Sequence, residues 1–117
     1  MVTCEIFHNE TVTHEFAASQ VIFHENPPGD FMDAVIEGEV DIVRHGVILD
    51  TVGSGGVFGE LALLDGLPRS ASAVARVNCR LATISEHRFT QLVSHNPYCA
   101  LDMMRMLSER LRRNLTA

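Results

Sequence analysis

The chain has 117 residues, 46% of them hydrophobic and 21% charged, which is the size and composition of one globular domain, residues 1–117. No apolar run approaches the roughly 18 residues of a spanning helix, and the start has no basic region before an apolar stretch, so we expect neither a membrane protein nor a signal peptide. The net charge of −6 combines 12 acids and one base up to Pro68 with three acids and eight arginines after it, an overall acidity poorly suited to nucleic acid.

From about residue 11 to residue 84, apolar residues alternate or form short runs between glycine turns, a pattern typical of β-strands. A turn is predicted at residues 26–30, where proline presets φ and glycine allows a positive φ. The strand candidates, in chain order, are residues 11–16, 21–23, 34–36, 40–43, 47–49, 70–77 and 81–84. Short strands at regular spacing predict a closed or sandwiched antiparallel sheet.

After Ile84 the apolar period becomes helical, and residues 85–116 are predicted to form two helices. Ser85 is the predicted N-cap of the first helix, and its apolar residues recur on one face. The pair Asn96-Pro97 ends that helix, and Pro97 suits the first turn of the next one.

The last helix carries an apolar stripe and a basic end. The stripe consists of Leu101, Met104, Leu107 or Ser108, Leu111 and Leu115. The basic end, Arg110, Arg112 and Arg113, complements the negative end of the helix dipole. The stripe has two interpretations: it packs against the sheet as core, or it forms a narrow seam between two copies of the chain.

The cysteines, Cys4, Cys79 and Cys99, are odd in number and far apart. This pattern fits neither a disulfide framework nor a C-x-x-C metal site. A reducing, cytoplasmic location is therefore the expectation.

Within residues 57–72, residues 60–64 are a short helix-forming turn between two β regions, flanked by glycines and followed by Pro68, which stops it. The start of a short helix exposes free backbone N–H groups, which bind anions. Arg69 follows the proline, and a guanidinium matches two oxygens of a phosphate. Glu60 can accept hydrogen bonds from sugar hydroxyls, so the segment offers donors for a phosphate and an acceptor for a ribose.

The run F-G-E-L-A-L-L-D-G-L-P-R-S-A, residues 58–71, resembles the phosphate-binding cassette of the cyclic nucleotide-binding domain family. Residues 21–30, 37–46, 53–60 and 78–89 are similar to other parts of that family, so the resemblance covers nearly the whole chain. It implies a mainly β fold: an antiparallel eight-stranded β-roll of the jelly-roll type (a double-stranded β-helix) with a short cassette helix and two terminal helices.

The resemblance implies two charged contacts, carried over by position. Glu60 takes the ribose 2′-hydroxyl, and Arg69 pairs with the cyclic phosphate. It also implies that the ligand is cAMP or, less favoured, cGMP, because Ser70 follows the arginine where threonine often accompanies cGMP preference.

Further ligand-binding residues follow from the same resemblance. The backbone amides of Leu61, Ala62 and Ala71 donate to the phosphate or the ribose, and Gly59 gives the ligand close approach. The hydroxyl of Ser70 reaches the phosphate or the purine.

The implied protein is a regulatory sensor and not an enzyme, with no cofactor, no metal and no membrane contact. Its terminal helices close over the purine and pass the signal to an effector protein that the sequence does not identify. A homodimer through the C-terminal helix is a further implied partner.

Three features depart from the family. The chain ends at Ala117, after the helix that in DNA-binding members leads to a helix-turn-helix, so we expect no nucleic-acid binding by this chain alone. The helical segment before the first strand is short or missing, which puts the usual transmission of helix movement in doubt. Asn26 stands where glycine is common, and asparagine tolerates the same backbone conformation.

Two alternatives remain. A metal-dependent cupin-type enzyme has a similar fold, but none of the six histidines forms an H-x-H pair followed by a nearby glutamate, and no nucleophile and base are apparent. A dimerisation or docking module that has lost nucleotide binding differs from the sensor only in whether nucleotide binds.

Overall fold

Alternating apolar residues form strands at the places that the sequence predicts. The computed structural model describes residue 10 and residues 12–24, 31–60 and 71–116. In this part of the chain the strands are β1 (Thr13–Phe16), β2 (Val21–Phe23), β3 (Phe31–Glu37), β4 (Glu39–Arg44), β5 (Val47–Gly53), β6 (Val57–Phe58), β7 (Ser72–Ala75) and β8 (Cys79–Ser85). The helices are α1 (Glu86–His95) and α2 (Tyr98–Thr116).

The strands pair in two antiparallel four-stranded sheets. The first sheet has the order β1-β8-β3-β6, and the second has the order β2-β7-β4-β5. Apart from the β4–β5 hairpin, neighbouring strands in each sheet are not consecutive in sequence, so the chain crosses repeatedly between the sheets and closes a roll. The predicted eight-stranded antiparallel β-roll with C-terminal helices is confirmed.

One apolar core fills the space between the two sheets. Its buried residues are Val35, Val40, Val52, Phe58, Ala73, Ala75, Cys79 and Leu81. They come from both sheets, because strand residues two apart share a face and these faces meet inside the roll.

A second core lies between the outer face of the first sheet and the two helices. Its buried residues are Met32, Ala34, Val57, Ala82, Ile84, Cys99, Met103 and Met106. Adjacent residues such as Val57 and Phe58 therefore serve opposite cores. The first sheet is covered on both faces, so the helices are part of its packing.

The helix boundaries agree with the sequence. Ser85 caps α1 as predicted, its hydroxyl accepting a hydrogen bond of 3.1 Å from the backbone N–H of Arg88. The Arg88 guanidinium in turn donates to the Glu10 carboxylate. That carboxylate raises the pKa of Arg88 above its ordinary value because it accepts these hydrogen bonds.

Of the predicted stripe of the last helix, Leu107 packs partly buried against the second core, but three other members do not. Leu101, Met104 and Leu111 are exposed on α2, by 40%, 63% and 60% of their surface. The helix instead buries Met103 and Met106. The core interpretation is therefore wrong for those three residues. Two apolar stripes overlap on this helix, and the stripe that packs against the first sheet is the one with Met103 and Met106.

Two further differences concern a short strand and a cysteine. The two-residue strand β6 was not predicted, since it is too short to show an alternating pattern. Cys99 is disulfide-bonded, against the expectation of no disulfide, while Cys79 is a buried free thiol. The separation of the cysteines in sequence did not predict this bond, because a disulfide needs proximity in space rather than in sequence. The turn at 26–30 and most of the cassette helix lie outside the described residues.

Within the described part of the chain, no helix combines the length and the apolarity that crossing a membrane requires.

Gly38 joins β3 to β4 at a φ of +103°, where a Cβ would lie 2.6 Å from the carbonyl oxygen of Asn78 and 2.8 Å from Sγ of Cys79. We expect Gly38→Ala to lower the free energy of unfolding by about 2–4 kcal/mol, because both the backbone conformation and the contacts oppose a side chain. Urea denaturation followed by circular dichroism measures this. Gly53→Ala is the control, since its Cβ meets nothing within 4 Å. Equal losses in both variants would contradict the assignment.

Candidate ligand-binding site

The site begins where β6 ends. Gly59 has a φ of +77°, a left-handed conformation that favours glycine, and it turns the chain out of the sheet. The next residue, Glu60, is already helical and is only 3% exposed. A carboxylate is rarely buried to this extent unless it is paired.

The partner of Glu60 comes from the last helix. The Arg110 guanidinium donates from one terminal nitrogen to Oε1 of Glu60. Its other terminal nitrogen donates to the backbone carbonyl of Val57 at 2.9 Å. A guanidinium presents five N–H donors in a planar fork, so one side chain can satisfy several acceptors in this way.

A second carboxylate approaches the same guanidinium. Oδ2 of Asp50 lies 3.8 Å from Nε of Arg110. Asp50 is paired across the sheet with Ile42, whose side chain packs on the core between the sheets, so Asp50 is on the inner face of the roll. Its other oxygen accepts a hydrogen bond of 2.9 Å from the backbone N–H of Thr51.

These contacts place Arg110 at the meeting point of three elements. Val57 belongs to the first sheet, Asp50 belongs to the second, and Arg110 belongs to α2. The side chain of Arg110 is 22% exposed and that of Glu60 is 4% exposed, so their attraction is only weakly screened by water. The ion pair therefore fixes the last helix to the end of β6.

The arrangement leaves Glu60 able to bind a hydroxyl. An ionised carboxylate can accept about four hydrogen bonds. Arg110 donates to one of the two oxygens, which leaves acceptor capacity on the carboxylate for a hydroxyl donor. Arg110 of the last helix thus orients the Glu60 carboxylate through Oε1.

Three of the seven predicted binding residues are described, namely Gly59, Glu60 and Ala71. Ala71 is 7% exposed and directly precedes β7. Leu61, Ala62, Arg69 and Ser70 lie outside the described residues. The convergence of Glu60 and Arg69 on one pocket stays a prediction.

Sequence reasoning missed Arg110 and Asp50 as members of the site. Arg110 was assigned to the helix dipole, although it is separated from Glu60 by 50 residues in sequence and contacts it in space. One signal was present. Arg110 continues the buried stripe of α2 through Met103 and Met106 at helical spacing, and an arginine on a buried face needs an acid nearby.

No group of three or more potential metal ligands occurs in residues 10, 12–24, 31–60 and 71–116. The histidines in these ranges are all exposed, namely His14, His24, His45, His87 and His95.

Residues 13–96 match the model of the cyclic nucleotide-binding domain family. A CRP-like cAMP-activated global transcriptional regulator of Mycobacterium tuberculosis is 29% identical over 104 residues, which are 85% of this chain and 46% of the regulator. A cAMP-dependent protein kinase regulatory subunit of Hypocrea atroviridis is 35% identical over 81 residues, 69% of this chain and 18% of the subunit. The chain therefore spans less than half the length of these two relatives.

The fold is also similar to that of a solved relative. The crystal structure of the Thermus thermophilus catabolite activator protein superposes with a TM-score of 0.83 at 28% identity, over 94% of this chain and 54% of that protein.

Arg110→Met should lower the free energy of unfolding by about 2–4 kcal/mol, since it leaves the Glu60 carboxylate buried without its counter-ion. Chemical denaturation measures the loss. Adding Glu60→Gln should restore part of it, because a neutral amide is easier to bury than an unpaired carboxylate.

The matched control is Arg105→Ala, on the same helix. Arg105 is 61% exposed and lies 3.5 Å from Asp102, so we expect a change within about 0.5 kcal/mol. Strictly additive effects of Arg110→Met and Glu60→Gln would show that the ion pair does not stabilise the fold.

Proposed function

Because this chain belongs to the cyclic nucleotide-binding domain family, we propose that it is a non-catalytic regulatory domain that binds a cyclic nucleotide, with cAMP favoured over cGMP. The observation that carries the proposal is the buried Glu60, helical at the end of β6 and oriented by Arg110. A carboxylate held in this way is suited to accept a hydrogen bond from a ribose hydroxyl.

The phosphate contact belongs to the same proposal. Arg69 is the residue that we assign to the cyclic phosphate, with the amides of Leu61, Ala62 and Ala71 and the hydroxyl of Ser70 beside it. Of these residues, Ala71 is described, and it is 7% exposed and directly precedes β7 of the second sheet. The preference for cAMP rests on Ser70. The names of the two curated relatives, which mention cAMP, favour it as well.

The proposed signal is a shift in the position of the last helix. Arg110 belongs to α2 and holds the residue that we assign to the ribose, so nucleotide binding and docking of α2 share one contact. A nucleotide that binds better when α2 is docked shifts the population toward the docked state. The free energy available for signalling is the difference in affinity between the two states.

The partners and the compartment are proposed on the same basis. The domain needs no cofactor and acts on an unidentified effector, in the cytoplasm where the nucleotide would be present. The disulfide of Cys99 opposes this location, since a reducing compartment keeps thiols reduced. Thiol labelling of the protein in intact cells tests it: a reduced Cys99 supports the cytoplasm, and an oxidised Cys99 contradicts it.

A homodimer through α2 is the second part of the proposal. The specific observation is that Leu101, Met104 and Leu111 are exposed although the opposite face of the helix is buried. With Ser108 they follow alternating steps of three and four residues, which is the spacing of a two-helix seam.

Arg69→Ala should weaken cAMP binding about 100- to 1,000-fold, because losing two charge-assisted hydrogen bonds costs roughly 3–5 kcal/mol. Isothermal titration calorimetry with cAMP and with cGMP measures both the loss and the preference. Glu60→Gln should weaken the binding of both cAMP and cGMP, since both nucleotides have the same ribose hydroxyl.

The control is Arg76→Ala, which removes an exposed arginine after β7. It should leave affinity unchanged. An unchanged affinity in Arg69→Ala would refute the phosphate assignment, and tighter binding of cGMP than of cAMP would overturn the stated preference. A thermal shift of the wild type with cAMP separates the sensor from a module that has lost its ligand, because a ligand of the folded state raises its apparent stability.

Met104→Glu should convert a dimer into a monomer at micromolar concentration, since it places a charge at the centre of the seam. Sedimentation velocity over a range of concentrations measures this. Val12→Glu is the control, because Val12 is 70% exposed and lies before β1. A dimer that survives Met104→Glu would place the interface elsewhere.

A further inference from the structure

A pocket of about 380 Å³ lies at the end of the first sheet, where β3 ends and β8 begins. Its charged lining residues are Glu15, Glu37 and Arg80. The pocket is separate from the candidate ligand-binding site, because Glu60 follows β6 and β6 pairs with the first half of β3. A volume of this order suits a small molecule.

The three charged side chains form a row across the sheet. Glu15 of β1 and Glu37 of β3 are both paired with Arg80 of β8, which lies between them. Directly paired residues of neighbouring strands present their side chains to the same face. Ala82, two residues further along β8, belongs to the core under the helices, so the row is on that outer face. The side chains of Arg80 and Glu37 are 40% and 70% exposed, so the helices leave this end of the face accessible.

Two polar groups of this row have capacity for a ligand. Arg80 donates from one terminal nitrogen to Oε1 of Glu37 at 2.8 Å. Its Nε is buried and makes no hydrogen bond to any residue that the structure describes. The Glu15 carboxylate likewise has no hydrogen bond or ion pair within residues 10, 12–24, 31–60 and 71–116. Because a buried N–H without an acceptor is costly, the free Nε indicates an acceptor from outside the chain.

The turn before β8 adds a second donor to the pocket. The side-chain oxygen of Asn78 accepts a hydrogen bond of 2.9 Å from the backbone N–H of Ala18, which fixes the Asn78 side chain beside the pocket. The nitrogen at the other end of the amide carries two N–H donors. Phe16 and Ala17 supply apolar wall. The pocket thus combines N–H donors, a carboxylate and an apolar surface.

We propose that this pocket binds a free α-amino acid with an apolar side chain. The ligand carboxylate accepts hydrogen bonds from Nε of Arg80 and from the Asn78 amide, and the ligand ammonium group pairs with Glu15. The apolar side chain of the ligand lies against Phe16 and Ala17. The inference goes beyond the proposed function and is independent of nucleotide binding.

A zwitterion fits these groups better than a simple anion or a simple cation. A simple anion at Arg80 is repelled by the carboxylates of Glu15 and Glu37 on either side. A simple cation between the acids is repelled by Arg80 and leaves the buried Nε without an acceptor. In an α-amino acid one carbon atom separates the two charges. This short separation suits directly paired residues such as Glu15 and Arg80, whose Cβ atoms are about 4.5–5.5 Å apart in antiparallel strands.

The test titrates the full chain with L-leucine, without nucleotide, and follows the backbone amides by two-dimensional NMR. We expect saturable shift changes at residues 15–17 and 78–80 with a Kd of about 1 mM, because the charged groups are partly exposed. Leucine amide lacks the carboxylate, and 4-methylpentanoic acid lacks the ammonium group. Each should bind about 5- to 10-fold more weakly than leucine, since each loses one charge-assisted contact.

Matched variants assign the contacts. Glu15→Gln keeps the size of the side chain but removes the charge that pairs with the ammonium group, so it should raise the Kd for leucine about 5- to 10-fold. Arg80→Lys keeps the positive charge but has no Nε donor, and it should weaken leucine binding as well. Glu86→Gln is the control, because Glu86 is an exposed acid directly after the opposite end of β8. Circular dichroism shows whether each variant is folded.

Each outcome decides the proposal. Leucine binding that is weakened by Glu15→Gln and Arg80→Lys but not by Glu86→Gln supports it. Leucine amide or 4-methylpentanoic acid binding as tightly as leucine refutes the zwitterion. Shift changes that do not saturate, or that occur away from residues 15–17 and 78–80, refute the site. Calorimetry with cAMP remains the separate test of the proposed function, so either proposal can fail without the other.

Discussion

The structure depends on one partly buried guanidinium. Arg110 satisfies the carboxylate of Glu60 and the carbonyl of Val57, and it lies close to Asp50. The Glu60 carboxylate, whose side chain is 4% exposed, would be the costliest of these groups to leave without a partner. Arg110 is on α2, and its partners are on strands of both sheets or directly after them. The same contacts therefore determine both the docking of the last helix and the conformation of this end of the roll.

The first sheet reinforces that dependence because it is covered on both faces. Val57 packs against the helices and Phe58 packs against the second sheet, so the short strand β6 transmits position from one core to the other. Gly59 then turns the chain, and Glu60 follows without an intervening flexible segment. Among the described residues, a displacement of α2 can therefore reach Glu60 through the ion pair or through β6.

The strands could be predicted because alternation along the chain is local information, and the β-roll followed from it together with the resemblance. The side of α2 that packs on the sheet could not, since Met103 and Met106 alternate with Leu101 and Met104 and both sets have helical spacing. Glu60 was found because its neighbours form a contiguous motif. Arg110 was missed because its role comes from a contact across 50 residues, and only its place on the buried stripe hinted at it. The contribution of Arg69 remains a prediction.

The two faces of α2 also connect the two proposals. The buried face carries Arg110, which orients the residue assigned to the ribose, and the exposed face carries Met104 and Leu111, which are assigned to a second copy. Because α2 is closely packed, it moves as a rigid body, and a displacement caused by a contact on one face also displaces the residues on the other face. Suppose that nucleotide binding and assembly favour the same position of α2. Assembly then raises the affinity for nucleotide by the same factor by which nucleotide raises the affinity between two copies, because coupling between two equilibria is reciprocal. The Arg110 guanidinium, which compensates the buried charge of Glu60, is thus the contact through which dimerisation and nucleotide binding would be coupled.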